Sequence, residues 1–275
     1  MRQPYLQQAL AKASANPPKP FQTTFTASSS WPFSPDRPAS TTRPTRIAVL
    51  DSSFNPPTKA HYHLLKAAAR VGCDAFLLLL ATNNVDKGQT GAGAIERLEM
   101  MEAMAAHALT HEKEDSALRN IAVGLTIHAR FMDKAQPILD SYQAGTVQLS
   151  WIMGHDTMTR LFDPKYYNDV HADMAPFFER CNVICSSRPG YGSRDEMMQF
   201  VKQSGHSEKV ALVEIVATED TVEEAGRPEN HGVEIKEMSS TVVRNAARNK
   251  DWKLVERCVL PPVKEIIERN GLYSV

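Results

Sequence analysis

The stretch IAVLDSSFNPPTKAHYHLLKAAARV, residues 47–71, decides the fold class of this 275-residue chain. Residues 47–50 are apolar in succession, as in a strand buried on both faces. Pro56 and Pro57 forbid helix before Thr58, and from Tyr62 onward apolar residues recur at helical spacing. The chain is therefore expected to turn sharply from strand to helix, with Thr58 as the N-cap. The same alternation continues downstream. Further short β-rich runs lie at 76–81, 121–127, 147–153, 183–186 and 211–216, and helical periodicity at 61–71, 94–107 and 194–203. Two-sided apolar strands alternating with helices imply a doubly wound α/β fold, a parallel sheet with helices on each side. Ligands bind such sheets beyond the carboxyl ends of the strands, so the residues after each run are the place to search.

Outward from this core the composition divides. Residues 1–45 hold eight of the 17 prolines, several Ser/Thr pairs, and five basic residues against one acid. That segment carries +4, so the remainder carries −5 within a net charge of −1. The composition predicts a disordered extension over 1–45 and one folded domain over 46–275. The extension lacks the arginine-rich helix of a transit peptide, which points to a cytoplasmic or nuclear setting over a mitochondrial one. Four irregularly spaced cysteines do not form a disulfide framework, and Cys181 and Cys185 flank an apolar run, as buried structural thiols do. The longest apolar stretch, residues 75–81, is strand length, far short of the ~20 residues of a membrane helix. The acidic body offers no basic stripe with interleaved aromatics, so neither nucleic acid nor membrane is an expected partner.

Two segments carry candidate chemistry. The strand-to-helix loop aims a helix N-terminus at the open end of the sheet, where free N–H groups and the helix dipole suit phosphate; Thr58 and His61 would add side-chain donors. Near the C-terminus, Ser239, Ser240 and Thr241 open another helix with Arg244 one turn in, a set of hydroxyls and a guanidinium suited to a polyphosphate end. There is no G-x-G-x-x-G and no G-x-x-x-x-G-K-[ST], so neither a dinucleotide fingerprint nor a P-loop is present. Taken alone, Thr58 and Ser239 also read as ordinary caps and His61 as a surface histidine. His155-Asp156 does not read as a metal-dependent phosphohydrolase pair, because it follows a strand and a glycine.

Ser53-Phe54-Asn55-Pro56-Pro57-Thr58-x-x-His61 and Ser239-Ser240-Thr241-x-x-Arg244 resemble the two signatures of nucleotidyltransferases with a T/H-x-x-H phosphate site, specifically nicotinamide/nicotinate mononucleotide adenylyltransferases. Between them, Trp151-Ile152-Met153-Gly154-His155-Asp156 is similar to the family's strand ending in Gly-x-Asp. Ser187-Arg188-Pro189-Gly190 is similar to its Arg-Pro-Gly turn, and residues 261–273 to its last helix and ending. The order of the motifs agrees over residues 46–273.

The resemblance implies a Rossmann-like nucleotidyltransferase fold with a C-terminal helical segment, and adenylyl transfer from ATP to nicotinamide or nicotinate mononucleotide in NAD biosynthesis. It implies that Thr58 and His61 hold the α- and β-phosphates, that Ser239, Ser240 and Thr241 grip the β/γ end, and that Arg244 offsets the developing charge. It places Ser53, Phe54, Gly154, Asp156 and Arg188 around ATP, with Mg²⁺ on the triphosphate. Lys87, Arg97, Tyr166 and Tyr167 are the candidates for the mononucleotide. Asp156 is also expected to cap the helix after the fourth strand. Three departures stand out: Ser52 where the family has Gly, a dibasic segment reduced to residues 83–87, and no assigned aromatic to stack on the pyridine ring. Open readings are a related nucleotidyltransferase, an ATP hydrolase with weak mononucleotide use, and a non-enzymatic nucleotide-binding protein. A homo-oligomer and a protein partner recruited by the tail are open as well.

Overall fold

The computed structural model describes residues 3–33, 43–82, 91–187, 194–203, 205–214 and 238–274. Among the described residues its centre is one seven-stranded sheet. Strand β1 (Phe21–Thr26) is followed by β2 (Thr45–Asp51), β3 (Ala75–Ala81), β4 (Ile121–Thr126), β5 (Val147–Gly154), β6 (Cys181–Ser187) and β7 (Val210–Glu214), in the spatial order β1-β4-β3-β2-β5-β6-β7. β2 to β7 are parallel, and β1 runs antiparallel, against β4. The helices are α1 (Gln3–Ala13), α2 (Lys59–Arg70), α3 (Ala94–His111), α4 (Phe131–Leu139), α5 (His155–Leu161), α6 (Val170–Arg180), α7 (Arg194–Gln203), α8 (Ser240–Arg248), α9 (Trp252–Cys258) and α10 (Pro261–Arg269).

Strand periodicity sorts the core into two layers. On β3, Phe76, Leu78 and Leu80 face the layer containing α1, α2, α3, α8, α9 and α10. Ala75, Leu77 and Leu79 face the layer of α4, α5, α6 and α7. This is why the strand reads as an unbroken apolar run: both of its faces are covered. The α3 methionines Met100, Met101 and Met104 are fully buried core. After β4 the chain crosses back through α4 to β5, on the other side of β2. The order of strands therefore reverses between β2 and β5, and in sheets of this kind ligands bind beyond the carboxyl ends at such a switch point.

The N-terminal segment departs from expectation. Residues 3–33 are folded onto the domain, so the disordered extension expected over 1–45 is corrected for that part; residues 34–42 lie outside the described residues. Leu6, Ala9 and Ala13, spaced i, i+3, i+7, form a buried stripe on α1. Gln22 Nε2 donates to the Ala9 carbonyl. Thr126 Oγ1 donates to the Pro20 carbonyl at 2.9 Å, and Trp31 Nε1 to that of Asn120 at 3.3 Å. Proline and serine content hid this because the prolines flank β1 instead of interrupting it.

All four cysteines are buried free thiols, as the sequence suggested. Burial pushes Cys73 up to about 11 and both Cys181 and Cys185 up to about 12, so they remain protonated and inert. Among the described residues no helix is long and apolar enough to cross a membrane.

Candidate active site

β2 delivers the loop 52–58 to the switch point, and Thr58 caps α2 as its spacing from the two prolines predicted. The cap is reciprocal to His61. The Thr58 N–H donates to His61 Nδ1 at 3.0 Å, and the buried Thr58 Oγ1 lies 3.0 Å from the same nitrogen. A ring nitrogen that accepts an N–H cannot itself carry a proton in that geometry, so the neutral imidazole is the Nε2–H tautomer. The buried Phe54 ring lies 5.1 Å from the imidazole, centroid to centroid, and limits its rotation. Thr58 thus orients His61 and leaves its other nitrogen as the donor.

Ser52 Oγ lies 3.1 Å from His61 Nε2. The pair looks like a nucleophile and its base, but the tautomer is wrong for that role: Nε2 holds a proton and has no lone pair to take one from Ser52. The arrangement supplies hydrogen-bond donation, not base catalysis.

The second motif folds onto the same loop from 184 residues away. Ser239 accepts from the Val242 N–H at 3.2 Å and caps α8. Ser240 Oγ donates to the Pro56 carbonyl at 2.8 Å, and Arg244 Nη1 to the Asn55 carbonyl at 2.7 Å. Arg244 Nη2 also reaches Thr241 Oγ1 at 3.1 Å, and Thr241 itself is exposed. Two helix N-termini, each with hydroxyl groups, converge on one turn of chain. This is a concentrated donor field suited to several phosphates.

Gly154 ends β5 two residues beyond the paired positions Leu50 and Ile152, which sets it beside the loop. Gly154, not Asp156, is the N-cap of α5; Asp156 sits in the first turn, exposed, and pairs with Arg160 at 3.1 Å. The expected cap assignment is corrected accordingly. The exposed Ser53 stands at the mouth of the loop. Arg97 is only 5% exposed and holds backbone, donating from Nε to the Ala92 carbonyl at 2.7 Å and from Nη1 to that of Ser53 at 3.5 Å. Burial lowers its pKa, and the nearby Arg244 acts in the same direction. Tyr167 packs against the second core layer and donates to the Leu161 carbonyl at 2.6 Å. Tyr166 is exposed, with Lys165 Nζ 4.8 Å from its ring centroid. Lys87 and Arg188 lie outside the described residues.

Three contacts at the site were not anticipated. Ser52 meets His61, as described. The carboxamide of Asn55 accepts from the Ala92 N–H at 3.1 Å and from Tyr273 Oη at 2.9 Å. Asp51, the last residue of β2, pairs with Lys134 of α4, which is 1% exposed and also lies 5.3 Å from the Phe131 ring centroid. Burial pushes the Asp51 carboxyl up while Lys134 holds it down. Asn55 belongs to a quoted motif and its polar side chain beside two prolines was a usable signal. A lysine on a helix gives no hint that it faces inward.

A model of the cytidylyltransferase-like family matches residues 49–246, which include both loops. A putative nicotinamide mononucleotide adenylyltransferase of Schizosaccharomyces pombe is 32% identical over 184 residues, 62% of this chain and 68% of that protein. A probable nicotinate-nucleotide adenylyltransferase of Neisseria gonorrhoeae is 22% identical over 230 residues, 83% of this chain and 98% of its own. Among solved structures, a Plasmodium falciparum nicotinic acid mononucleotide adenylyltransferase complexed with NaAD has the same fold at TM-score 0.58 and 12% identity, covering 83% of this chain and 97% of that one.

Proposed function

The chain belongs to the cytidylyltransferase-like family and is a nucleotidyltransferase, and from that premise we propose that it transfers the adenylyl group of ATP to a pyridine mononucleotide, as a step of NAD biosynthesis. In this reaction a 5′-phosphate oxygen of the mononucleotide bonds to the α-phosphorus of ATP, and the bond from that phosphorus to the bridging oxygen breaks as pyrophosphate leaves. The attacking phosphate is ionised at neutral pH. It needs alignment and charge neutralisation, not a base.

The observation that carries the reading is the hydrogen bond from the Thr58 N–H to His61 Nδ1, which leaves Nε2 as the protonated nitrogen of the neutral ring. Its Nε2–H stands at the N-terminus of α2 and can donate to a phosphoryl oxygen without moving a proton. Thr58 keeps the ring in place through its Nδ1. The N-terminus of α8, with Ser239, Ser240, Thr241 and Arg244, supplies donors for the leaving pyrophosphate, because it is tied to the same turn of chain. Gly154 and Asp156 lie on the β5 side of the switch point and suit the adenosine, where a carboxylate accepts from ribose hydroxyls. Of the two tyrosines Tyr166 is the one free to meet a pyridine ring, since it is exposed while Tyr167 is used by the core.

Mg²⁺ fits as a companion of the nucleotide. The site presents N–H groups, hydroxyls and a guanidinium, and the one carboxylate that adjoins the loop in sequence, Asp51, is committed to Lys134. A hard cation would take its oxygens from the triphosphate and water, and would supply further neutralisation of the leaving group.

The test is product analysis after incubation with ATP, Mg²⁺ and either nicotinamide or nicotinate mononucleotide. Dinucleotide and pyrophosphate in equal amounts are expected from at least one of them. ADP and inorganic phosphate, with no dinucleotide from either, would contradict the proposal.

A further inference from the structure

We propose that Tyr273, in the turn after α10, is a positioning residue for adenylyl transfer: its hydroxyl fixes Asn55, and through Asn55 the turn of chain that sets His61. The inference rests on the transfer reading above and adds to it a residue more than 200 positions from the loop in sequence.

Asn55 is the point where three distant parts of the chain meet the loop. Its Oδ1 accepts from Tyr273 Oη at 2.9 Å and from the Ala92 N–H at 3.1 Å, and its carbonyl accepts from Arg244 at 2.7 Å. Both Asn55 and Tyr273 are 8% exposed, so water does not replace these partners readily. The fit around the carboxamide is close. A Cβ on Gly91, whose φ is +126°, would stand 2.6 Å from Asn55 Nδ2 and 2.8 Å from Oδ1, so only glycine admits the side chain there.

The backbone on both sides of the contact is held in a region that ordinary residues avoid. Phe54, just before Asn55, has φ +44°, and Tyr273 has φ +68°. Such conformations persist where the surroundings over-determine them. Here the surroundings are the Asn55 contacts. Burial also raises the pKa of Tyr273, so the phenol stays a donor through the range in which an enzyme is assayed. From Asn55 the chain runs through Pro56 and Pro57, which have little freedom, directly to Thr58, whose N–H sets the His61 tautomer. Loss of the phenol hydroxyl is thereby transmitted to the donor that meets phosphate.

The test compares wild type with Tyr273→Phe, which keeps the buried ring and removes one O–H. The readouts are kcat with saturating ATP and mononucleotide, KM for ATP, the melting temperature, and hydrogen exchange of the Thr58 amide in the absence of nucleotide. The expected result is a fall in kcat of roughly tenfold, the scale on which misalignment acts. KM for ATP should stay within about threefold, and Thr58 exchange should become faster. Tyr273→Phe should add little in an Asn55→Ala background, since the two residues act through one bond. A purely structural tyrosine would instead change the melting temperature and leave kcat unchanged. Either kcat or Thr58 exchange staying at the wild-type value overturns the proposal. Exchange is measured without substrate, so a failure of the transfer reading would show as wild type making no dinucleotide, while the exchange comparison still decides the link from Tyr273 to His61.

Discussion

Trp31→Ala tests whether the N-terminal segment is part of the folded domain. Trp31 is 7% exposed, packs edge-on to Tyr142 with ring centroids 6.3 Å apart, and donates to the Asn120 carbonyl. Asn120 in turn donates to the Pro32 carbonyl at 2.7 Å and to that of Asp74 at 3.0 Å, so one side chain links the segment to the start of β3. Truncating a buried aromatic to alanine removes its transfer free energy and leaves a cavity, together about 3–5 kcal/mol. For a domain of this size each kcal/mol shifts the midpoint by ~2–4 °C, so Tm should fall by roughly 6–20 °C. The assay is thermal denaturation followed by circular dichroism, with the half-exposed Tyr5→Ala as the comparison. Tyr5→Ala should move Tm by no more than about 2 °C, because surface substitutions usually stay within ~0.5 kcal/mol. A Trp31→Ala protein with the wild-type Tm would mean that residues 3–33 are not docked and that β1 does not form the edge of the sheet.

Lys134→Met should cost about 3–5 kcal/mol in denaturant unfolding, because it leaves Asp51 buried beside an apolar side chain. The double variant Asp51→Leu with Lys134→Met should recover most of that loss; equal destabilisation of both proteins would show that the pair is not buried as described. A separate effect concerns pH. The His206 pKa is lowered, first by burial and then by His171, whose ring stacks on it at 4.6 Å. The unfolded chain therefore binds a proton more readily, and this contribution is fully present above the unfolded value near 6.5 and is lost as pH falls through the folded value. Glu208 and Lys209 act on it in opposite senses. Tm should drop between pH 7 and pH 5.5, and His206→Gln should flatten that drop; an unchanged slope would remove His206 as its source.

How much of this was legible beforehand depended on the kind of signal. The parallel sheet was readable because a strand covered on both sides must be apolar throughout, as residues 76–80 are. The α2 cap was readable because two prolines leave Thr58 as the first residue able to begin a helix. Tertiary partners were not. Arg97 looks like a surface cation and instead holds two backbone carbonyls, since nothing local reports that Ser53 and Ala92 lie over it. Asp156 follows Gly154 closely enough that either residue could cap α5, and the backbone chose the glycine. For residues 3–33 the average composition outweighed the pattern: a stripe of three residues on α1 and one strand carry enough apolar surface to dock, because the rest of the sheet is already there to receive them.

In the proposed reaction His61, held as a donor by Thr58, is the group that meets phosphate. That role is tested most directly by a coupled assay of dinucleotide formation from ATP and mononucleotide, comparing wild type with His61→Ala under conditions where both proteins are shown to be folded. His61→Ala should lose about 10²–10³ in kcat, the scale of removing one preorganised donor from a transferring group. Dinucleotide made by His61→Ala at the wild-type rate would contradict it.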